Sequence, residues 1–435
     1  MTMDSLEREL PVRLVVTDDL RRSRATVFFR LLLIIPAWIV YAFWGLAAIL
    51  IVIATWFVIL ARGRCSNGMH EFLSAYVRYS VQVSAYLHLV ANPYPGFTVK
   101  PDYPVRVEID GPSPQQRWTV FFRIFLAVPV LLLATATGGS VGIGLPRRSS
   151  VYGWSIGGAG AGAVASILGW FASLARGLMP RGLRDLGAYS VGYSAQMSAY
   201  LFLLTDRYPS SDPRLAGPMA LPEHAVQLEF ADDLARPRLL VFFRFLLALP
   251  HLVWVTLWTV LALLAALAGW LVAPFPGRLP HPLHRFLAAY VRYTTHVTAF
   301  LYMIGGPFPG FVGAEGSYPV DVHIDPPTRQ SRWTLVFRGF LAIPALLVAS
   351  AYGGIMFMVA VLGWWSSMVR GRMPEGLANL GAVSLRYQAQ TWAYALLLTS
   401  RYPYAAPALE DAPEPEPDEP AVPELGLPPT PAEAV

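Results

Sequence analysis

The sequence repeats one pattern four times, and this repetition limits the possible folds more than any other feature. Each copy opens with a short alternating segment rich in β-branched residues, which predicts a strand. An apolar stretch follows, with an arginine near its start and a proline six residues after that arginine. A glycine beside an arginine and then a tyrosine-rich helical segment complete the copy. The chain is therefore predicted to be a tandem array of one supersecondary unit.

The landmark arginines and glycines define the bounds of the units. From Arg30, Arg123, Arg244 and Arg338, the next landmark glycine follows after 33, 54, 33 and 33 residues, so that unit 2 is 21 residues longer. Units 1 and 3 share one closing motif and units 2 and 4 share another, which indicates a duplication of a duplication in the order ABAB. We assign unit 1 to 11–97, unit 2 to 103–209, unit 3 to 224–311, unit 4 to 318–403 and an acidic, Pro-rich tail to 404–435.

The composition indicates an apolar environment. Hydrophobic residues make up 55% of the chain, only 14% is charged, and the mean hydropathy is +0.45. This leaves too little polar surface for a soluble protein of 435 residues. Trp and Tyr lie near the ends of the apolar stretches, where amphipathic rings suit the membrane interface. We therefore expect an integral membrane protein whose partners include membrane lipids, anionic ones among them.

The apolar stretches are predicted to form helical hairpins. A single helix over 27–61 would be about 52 Å long, whereas the hydrocarbon core is about 30 Å thick. The additional residues of unit 2 include a turn-forming run at 138–150, midway through its apolar stretch, and Tyr352-Gly353-Gly354 lies at the matching point of unit 4. Two short spans in each unit, and eight in all, are the expected result.

The basic residues predict the topology of these hairpins. Apart from Arg147 and Arg148 at the unit 2 tip, the arginines fall in the strands, before and after each hairpin, and in the tyrosine-rich helices. The positive-inside tendency assigns that side, with both termini, to the cytoplasm. We expect a mainly α, multi-pass protein of the cell membrane. Its strands would form a small cytoplasmic sheet of up to four strands, and each tyrosine-rich helix would be an interfacial amphipathic helix.

The tyrosine-rich helices carry a polar stripe, for which two interpretations stay open. The stripes either line a groove that binds an anionic lipid or solute, or hold the helices to their neighbours. Lipid headgroups are a further expected contact of the arginines at the start of each apolar stretch. The stripe candidates are Arg78, Tyr79, Gln82, Tyr193, Gln196, Arg292, Tyr293, His296, Arg386, Tyr387 and Gln390, and the headgroup candidates are Arg30, Arg123, Arg244 and Arg338.

Nothing in the sequence forms a recognisable catalytic motif. The acidic stripe position is Glu71, Asp185, Arg285 and Asn379 in successive units, so no carboxylate is repeated fourfold. Histidines that could share a metal in unit 3 have few counterparts in other units, and the single cysteine excludes an intrachain disulfide. We expect no cofactor, no metal and no nucleic acid. The acidic tail has no basic residue and is predicted to be disordered.

The residues of units 2 and 4 resemble a known family. The segment 117–123 with Pro129, then Arg176-Gly177 and 199–209, is similar to the bacterial membrane family called domain of unknown function 4389. Unit 4 matches about as well, from Arg332-Trp333 to Arg401-Tyr402-Pro403, whereas units 1 and 3 differ at the closing motif. The resemblance implies a multi-pass membrane protein and supplies no activity or site.

Two functions follow as expectations. The first is a non-enzymatic membrane protein that acts as a scaffold or interacts with lipids or with a protein partner still to be identified. The alternative is a transporter or lipid-handling protein with a polar site between the repeats. The two differ in whether the stripe residues converge on one cavity.

Overall fold

The computed structural model describes residues 10–138, 160–217, 219 and 221–409, and helices make up most of this part of the chain. Each of the four units defined from the sequence contains a strand, one or more apolar helical segments and a tyrosine-rich helix, in that order. A short 3₁₀ turn at Pro213–Ala216 lies in the connection between units 2 and 3.

The strands form where the alternating segments predict them. They are β1 (Val12–Val16), β2 (Val105–Ile109), β3 (Val226–Phe230) and β4 (Val320–Ile324). In the described residues they make two separate antiparallel sheets, β1 with β2 and β3 with β4, instead of the one sheet of up to four strands that we expected. The register pairs Leu14 with Val107 and Leu228 with Val322. Each sheet therefore joins the two units of one pair.

The predicted hairpins are wrong for units 1, 3 and 4, because each apolar stretch there is helical without a reversal. We call the longest helix of each of these stretches the long helix of its unit. Unit 1 has two short segments, Arg24–Phe28 and Arg30–Leu33, before Ile35–Arg62; the long helix of unit 3 is Arg238–Val272, and that of unit 4 is Arg338–Arg370, after the short helix Arg332–Val336. Gly353 and Gly354 lie inside the unit 4 helix, since its tertiary contacts outweigh the small helix penalty of glycine.

The apolar stretch of unit 2 is divided by its additional residues. Short helices at Arg117–Phe121 and Arg123–Leu126 lead into Val128–Thr137, and Ala161–Arg176 follows. A Cβ added to Gly160 would lie 2.3 Å from the Cα of Gly138, so the two glycines are in contact. The 21 residues between them equal the length difference of unit 2. Most of the predicted tip, including Arg147 and Arg148, lies outside the described residues.

The tyrosine-rich helices are Asn67–Leu87, Arg181–Leu201, His281–Leu301 and Glu375–Ala395. Within the protein they form a middle layer, and their predicted position at a membrane interface stays a prediction. In each unit this helix packs on the apolar helix that precedes it and also on a strand. One apolar cluster shows the three layers: Ala48 from the long helix, Leu73 and Val77 from the tyrosine-rich helix, and Val105 and Val107 from β2. Small residues and tyrosines allow this packing on both sides.

The apolar stretches of the two units in each pair run in opposite directions. Arg24, at the start of the apolar stretch of unit 1, donates a hydrogen bond to the carbonyl of Ala175 near the end of the unit 2 stretch. Arg117, at the start of the unit 2 stretch, donates to the carbonyl of Ala61 near the end of the unit 1 stretch. In the second pair, Arg238 donates to the carbonyl of Val369. The unit 4 helix also packs against both apolar helices of unit 2, which joins the pairs.

The first residues assigned to the tail belong to the folded structure. The Tyr352 hydroxyl donates to the carbonyl of Ala405 at 2.7 Å, and Arg386 donates to the carbonyl of Ala406 at 2.6 Å. Both alanines are buried. The predicted disordered tail therefore begins too early at 404, and its acidic part from residue 410 onwards lies outside the described residues.

Candidate membrane-contacting surface and the buried arginine sockets

The start of each apolar stretch places apolar side chains outside and an arginine inside. In unit 3, Phe242 is 61% exposed, whereas Arg244, two residues later, is only 3% exposed. The same inversion occurs in every unit, and its members are Phe28, Phe29 and Arg30; Phe121, Phe122 and Arg123; Phe242, Phe243 and Arg244; and Val336, Phe337 and Arg338. Water-soluble proteins place these residue types the other way round. The surroundings that suit this motif are apolar.

Each of these arginines fits a socket at the end of a tyrosine-rich helix. Arg244 donates to the carbonyl oxygens of Phe300 at 2.7 Å, Gly305 at 3.1 Å and Gly306 at 2.9 Å. Its guanidinium carbon lies 4.4 Å from the centre of the Phe300 ring. Carbonyls at a helix C-terminus have no partner within the helix, and this terminus is also the negative end of the helix dipole. A buried arginine at this position donates hydrogen bonds to the free carbonyls and places a positive charge at the negative end of the dipole.

The socket recurs with one aromatic partner in every unit. Arg30 lies over Tyr86 at 4.3 Å, Arg123 over Tyr200 at 4.2 Å and Arg338 over Tyr394 at 4.1 Å. A regular spacing in the sequence signals this pairing, although we did not predict it: arginine and aromatic residue are 56 positions apart in units 1, 3 and 4, and 77 apart in unit 2. Headgroup anchoring had been the expectation for these four arginines, but their guanidinium groups are turned into the protein.

A second buried donor completes each socket, and it differs between A and B units. It donates to the carbonyl of the residue two positions after the tyrosine-rich helix, which has a left-handed conformation, a strained backbone for a side chain other than glycine. In unit 1 the donor is Arg22, paired with Asp18 at 2.6 Å and bonded to the carbonyl of Leu89 at 2.8 Å. Unit 2 uses the amide of Gln115, which bonds to the carbonyl of Leu203 at 2.6 Å. The other pairs of donor and left-handed residue are Arg236 with Met303, and Gln330 with Leu397.

The glutamines of the polar stripe bind the chain that follows their own helix. Gln82 donates to the carbonyl of Lys100 at 2.7 Å and accepts from its backbone N–H at 3.1 Å. Gln196 accepts from the backbone N–H of Ser210 at 2.9 Å, and Gln390 accepts from that of Tyr404 at 3.1 Å. Gln82 is a buried amide whose donor and acceptor are both satisfied, as expected of a structural residue.

In unit 3, a histidine and a carboxylate take the place of the glutamine bonds. The Nε2 of His296 donates to Asp321 at 2.8 Å, and the backbone N–H groups of Gly316 and Val322 donate to the same carboxylate. Arg292 lies 3.6 Å from Asp321. Burial alone would raise the pKa of Asp321, but the hydrogen bonds from His296 and the two N–H groups outweigh it and lower that pKa.

The remaining stripe candidates also make local contacts. The hydroxyl of Tyr79 donates to the carbonyl of Gly96 at 3.0 Å, the hydroxyl of Tyr293 lies 2.7 Å from Nδ1 of His251, and the ring of Tyr387 lies 5.1 Å from that of Tyr352. Tyr193 belongs to the apolar cluster between units 2 and 4, and Arg78 is half-buried.

These contacts do not bring the stripes together around one cavity. Gln82 and His296 bind segments that follow their own helices, and Gln390 binds Tyr404 and the carbonyl of Val226 in β3. The pocket beside Gln196 and Tyr193 has a volume of only about 20 Å³ and is lined by β1 and the connection between units 2 and 3. In the described residues no group of three His, Cys, Asp or Glu side chains is arranged to hold a metal. Whether any stripe residue binds a lipid or solute stays a prediction.

The two outer layers of the molecule have opposite character. Within the part of the chain that the structure describes, three helices are long and apolar enough to cross a membrane, Arg30–Arg62, Arg238–Val272 and Arg338–Arg370. Large apolar side chains are exposed along them, from Phe43 and Leu50 in unit 1 to Leu257 and Leu264 in unit 3. The sheets instead turn their apolar residues inward and expose charged ones, among them Arg106, Glu108 and Glu229. An apolar surface of this extent marks an interaction site.

One groove opens on the apolar side. It lies between the start of the unit 3 helix and the end of the unit 4 helix, has a volume of about 270 Å³, and is lined mainly by apolar side chains. Phe242, Phe245, Leu301, Val361 and Trp364 are among them. The volume is close to the lower limit for small-molecule pockets, which is about 300 Å³.

Comparison with known proteins identifies one family. The sequence profile described as Domain of unknown function (DUF4389) matches residues 24–98, 238–310 and 332–406, which together make up just over half of the chain. These segments correspond to units 1, 3 and 4. No curated protein and no solved structure matches the chain.

Proposed function

Because the chain belongs to the DUF4389 family, whose description states no activity, we propose its function from the structure: it is a membrane-embedded, non-enzymatic protein. Its long helices contact lipid, and its polar face presents a scaffold to lipids or to a protein partner. The observation that supports this best is the fourfold motif with exposed aromatic residues and a buried arginine. In water, that motif would expose apolar side chains at a large cost.

The absence of a catalytic role is part of the same proposal. Buried ionisable groups are the usual sign of an active site, and the arginine sockets contain a set of them that recurs in every unit. Their donors bind backbone carbonyls at helix ends, and the second donor changes from Arg22 in unit 1 to Gln115 in unit 2. A catalytic side chain would not be replaced by a different residue type from one copy of the unit to the next. The sockets fit a role in holding the layers together.

Membrane extraction tests the proposal. The full chain would be expressed in a bacterium, and the membranes would be washed with alkaline carbonate, which releases peripheral proteins. We expect the protein to stay in the membrane pellet and to enter solution only with detergent. Quantitative release by carbonate, or recovery as a soluble monomer without detergent, would contradict the proposal.

We also propose that 103–209 is a fourth copy of the unit, interrupted by 21 residues. Support comes from the contact of Gly138 with Gly160 and from the socket formed by Arg123 and Tyr200. Deletion of residues 139–159 should then give a protein that folds and inserts like the wild type, with a melting temperature in detergent within a few degrees. Loss of the folded protein would argue against an insertion. Deletion of 21 residues inside the unit 4 helix is the control that should not fold.

A lipid-handling role is the second candidate, and the groove at Phe245 and Trp364 favours it. An open apolar groove suits an acyl chain better than a polar solute. Native mass spectrometry of the detergent-extracted protein should then show a bound lipid, and Val361→Trp should remove it by filling the groove. Val369→Trp, at another exposed position of the same helix, is the matched control. Equal lipid occupancy in both variants would rule out this groove.

A further inference from the structure

The length of the long helices raises the question of how they meet the membrane. The three apolar helices have 33, 35 and 33 residues. At about 1.5 Å per residue each is roughly 50 Å long, whereas the hydrocarbon core is about 30 Å thick. To cross within that thickness, such a helix would need a tilt of about 50°, beyond the usual range of about 0–40°. A crossing orientation is therefore a poor fit.

The arginines at both ends of each pair are a second observation against crossing. Because paired helices are antiparallel, each end of a pair combines the start of one helix with the end of the other. One end has Arg24 beside Arg176, and the other has Arg117 beside Arg62. Helices that cross would place arginines in similar number on both sides of the membrane, contrary to the usual excess on one side. Helices that lie along the membrane place all of them on the same side.

The depth of the sheets is a third observation. Gly45, midway along the unit 1 helix, lies against the hydroxyl of Tyr76, midway along the tyrosine-rich helix. Leu14 of β1 in turn lies against Gly192, which is midway along the tyrosine-rich helix of unit 2. The sheet is therefore level with the middle of the long helices. Its outward side carries the Arg13–Glu108 ion pair, whose side chains are partly exposed.

Crossing helices would place this charged surface at the centre of the bilayer. Charged side chains at that depth are costly unless they face the interior of the protein or a water-filled cavity. This protein has three layers: apolar helices form one outer layer, strands with exposed charged residues form the other, and the tyrosine-rich helices lie between them. A slab with one apolar and one charged side matches the boundary between a leaflet and water.

We infer that the protein is monotopic: its long helices lie along one leaflet, their ends place arginines at the headgroups, and both sheets face water on the same side. The partner of the apolar layer is thus a single leaflet of a bilayer, and anionic headgroups suit the arginines at its rim. This orientation rests on the proposed membrane function. It replaces the expected crossing by hairpins and keeps the expected single side for the positive charge.

Cysteine labelling of membranes in known orientation tests the inference. In a Cys65→Ser background, single cysteines would be introduced as Ser23→Cys at the start of the unit 1 helix and Asn67→Cys just after its end. Both positions are exposed. Glu108→Cys reports on the sheet, and Leu46→Cys reports on the apolar layer. A membrane-impermeant maleimide would be applied to intact cells or spheroplasts and, separately, to inverted membrane vesicles.

We expect Ser23→Cys, Asn67→Cys and Glu108→Cys to react in the same one of the two preparations, and Leu46→Cys to react in neither. Reaction of Ser23→Cys and Asn67→Cys in opposite preparations would show that the helix crosses and would overturn the inference. Arg238→Cys and Arg278→Cys, at the two ends of the unit 3 helix, should likewise react in the same preparation. This second pair is the control for a local effect of the substitutions in unit 1. Carbonate extraction of every variant separates the two proposals, since release from the membrane contradicts the proposed function itself.

Discussion

Apolar and charged residues are arranged in opposite ways at the starts of the apolar stretches and in the two sheets. In the first, Phe28 and Phe29 are exposed and Arg30 is buried. In the second, Val105 and Val107 are buried, while Arg106 between them and Glu108 after them are exposed. Both patterns occur within one unit pair and on opposite sides of the same tyrosine-rich helices.

This difference supports the proposal that the two sides of the molecule meet two different solvents. A strand with apolar residues inward and charged residues outward fits water. A helix with phenylalanines outward fits lipid, provided that its arginine finds partners inside, as the sockets allow. The sockets thus explain how a charged residue can occur at the start of such an apolar stretch. The following predictions separate the two sides, from the largest expected effect to the smallest.

Removal of a socket arginine should have the largest effect. Arg244→Met removes the guanidinium donor from three buried carbonyls; that of Phe300 keeps the N–H of Met303, whereas those of Gly305 and Gly306 lose this donor. We expect a loss of about 3–5 kcal/mol in the free energy of unfolding, because each unsatisfied buried group costs about 1–3 kcal/mol. Thermal unfolding in detergent measures it. The control is Arg285→Met, at an exposed arginine of the same unit. Equal melting temperatures for the two variants would refute a structural role of the socket.

A charge on the apolar side should cost more than the same charge on the sheet side. Leu264→Asp places a carboxylate among exposed apolar residues, and we expect a loss on the order of 2 kcal/mol for the protein in lipid nanodiscs. Gln227→Asp on the outward side of β3 should change the stability by about 0.5 kcal/mol or less. Chemical unfolding in nanodiscs compares them. A loss at position 227 as large as that at 264 would remove the distinction between the two sides.

Asp321 is an exception on the sheet side, since it points outward from β4 but is buried beside His296. Its lowered pKa means that the contact stabilises the fold above the unfolded-state value of about 3.9, and that this contribution is lost as the pH falls through the folded-state pKa. Between about pH 5 and pH 3, the melting temperature of the wild type should therefore fall more steeply than that of Asp321→Asn. Parallel curves for the two proteins would show that the carboxylate contributes nothing to acid sensitivity.

The exposed ion pair on the sheet should matter least. Arg13 and Glu108 are 3.4 Å apart and both are partly exposed. Glu108→Gln should change the free energy of unfolding by less than about 0.5 kcal/mol, because solvent screens such pairs. Thermal unfolding at low and at high salt checks this. A larger, salt-dependent loss would indicate that the sheet side is not open to water.

The elements of the fold could be predicted from the sequence, but their packing could not. Alternation located all four strands, because a period of two is a local property of the chain. The hairpins failed because the length argument assumed that each apolar stretch crosses a bilayer. Gly353 and Gly354 also looked like a turn, although packing on the tyrosine-rich helix keeps them helical. Local composition does not encode such a tertiary contact.

The candidate site was predictable only in part, for a similar reason. The polar stripe was found from its helical period, but the partners of Gln82 and Gln390 lie in segments that no period relates to them. The sockets join residues 56 or more positions apart, and only the comparison of spacings between copies could have shown them. The sequence also does not show what surrounds the stripe, because a stripe of arginine and tyrosine suits a lipid headgroup layer and a protein interior equally well.

Spin-label accessibility measures most directly whether the two sides meet different solvents. In the Cys65→Ser protein reconstituted into vesicles, labels would be attached through Phe43→Cys on the unit 1 helix and Glu108→Cys on β2, which are both exposed. We predict that the label at 43 collides with oxygen much more than with a water-soluble nickel chelate, and that the label at 108 shows the reverse. Strong collision of the chelate with the label at 43 would contradict a lipid-facing apolar layer.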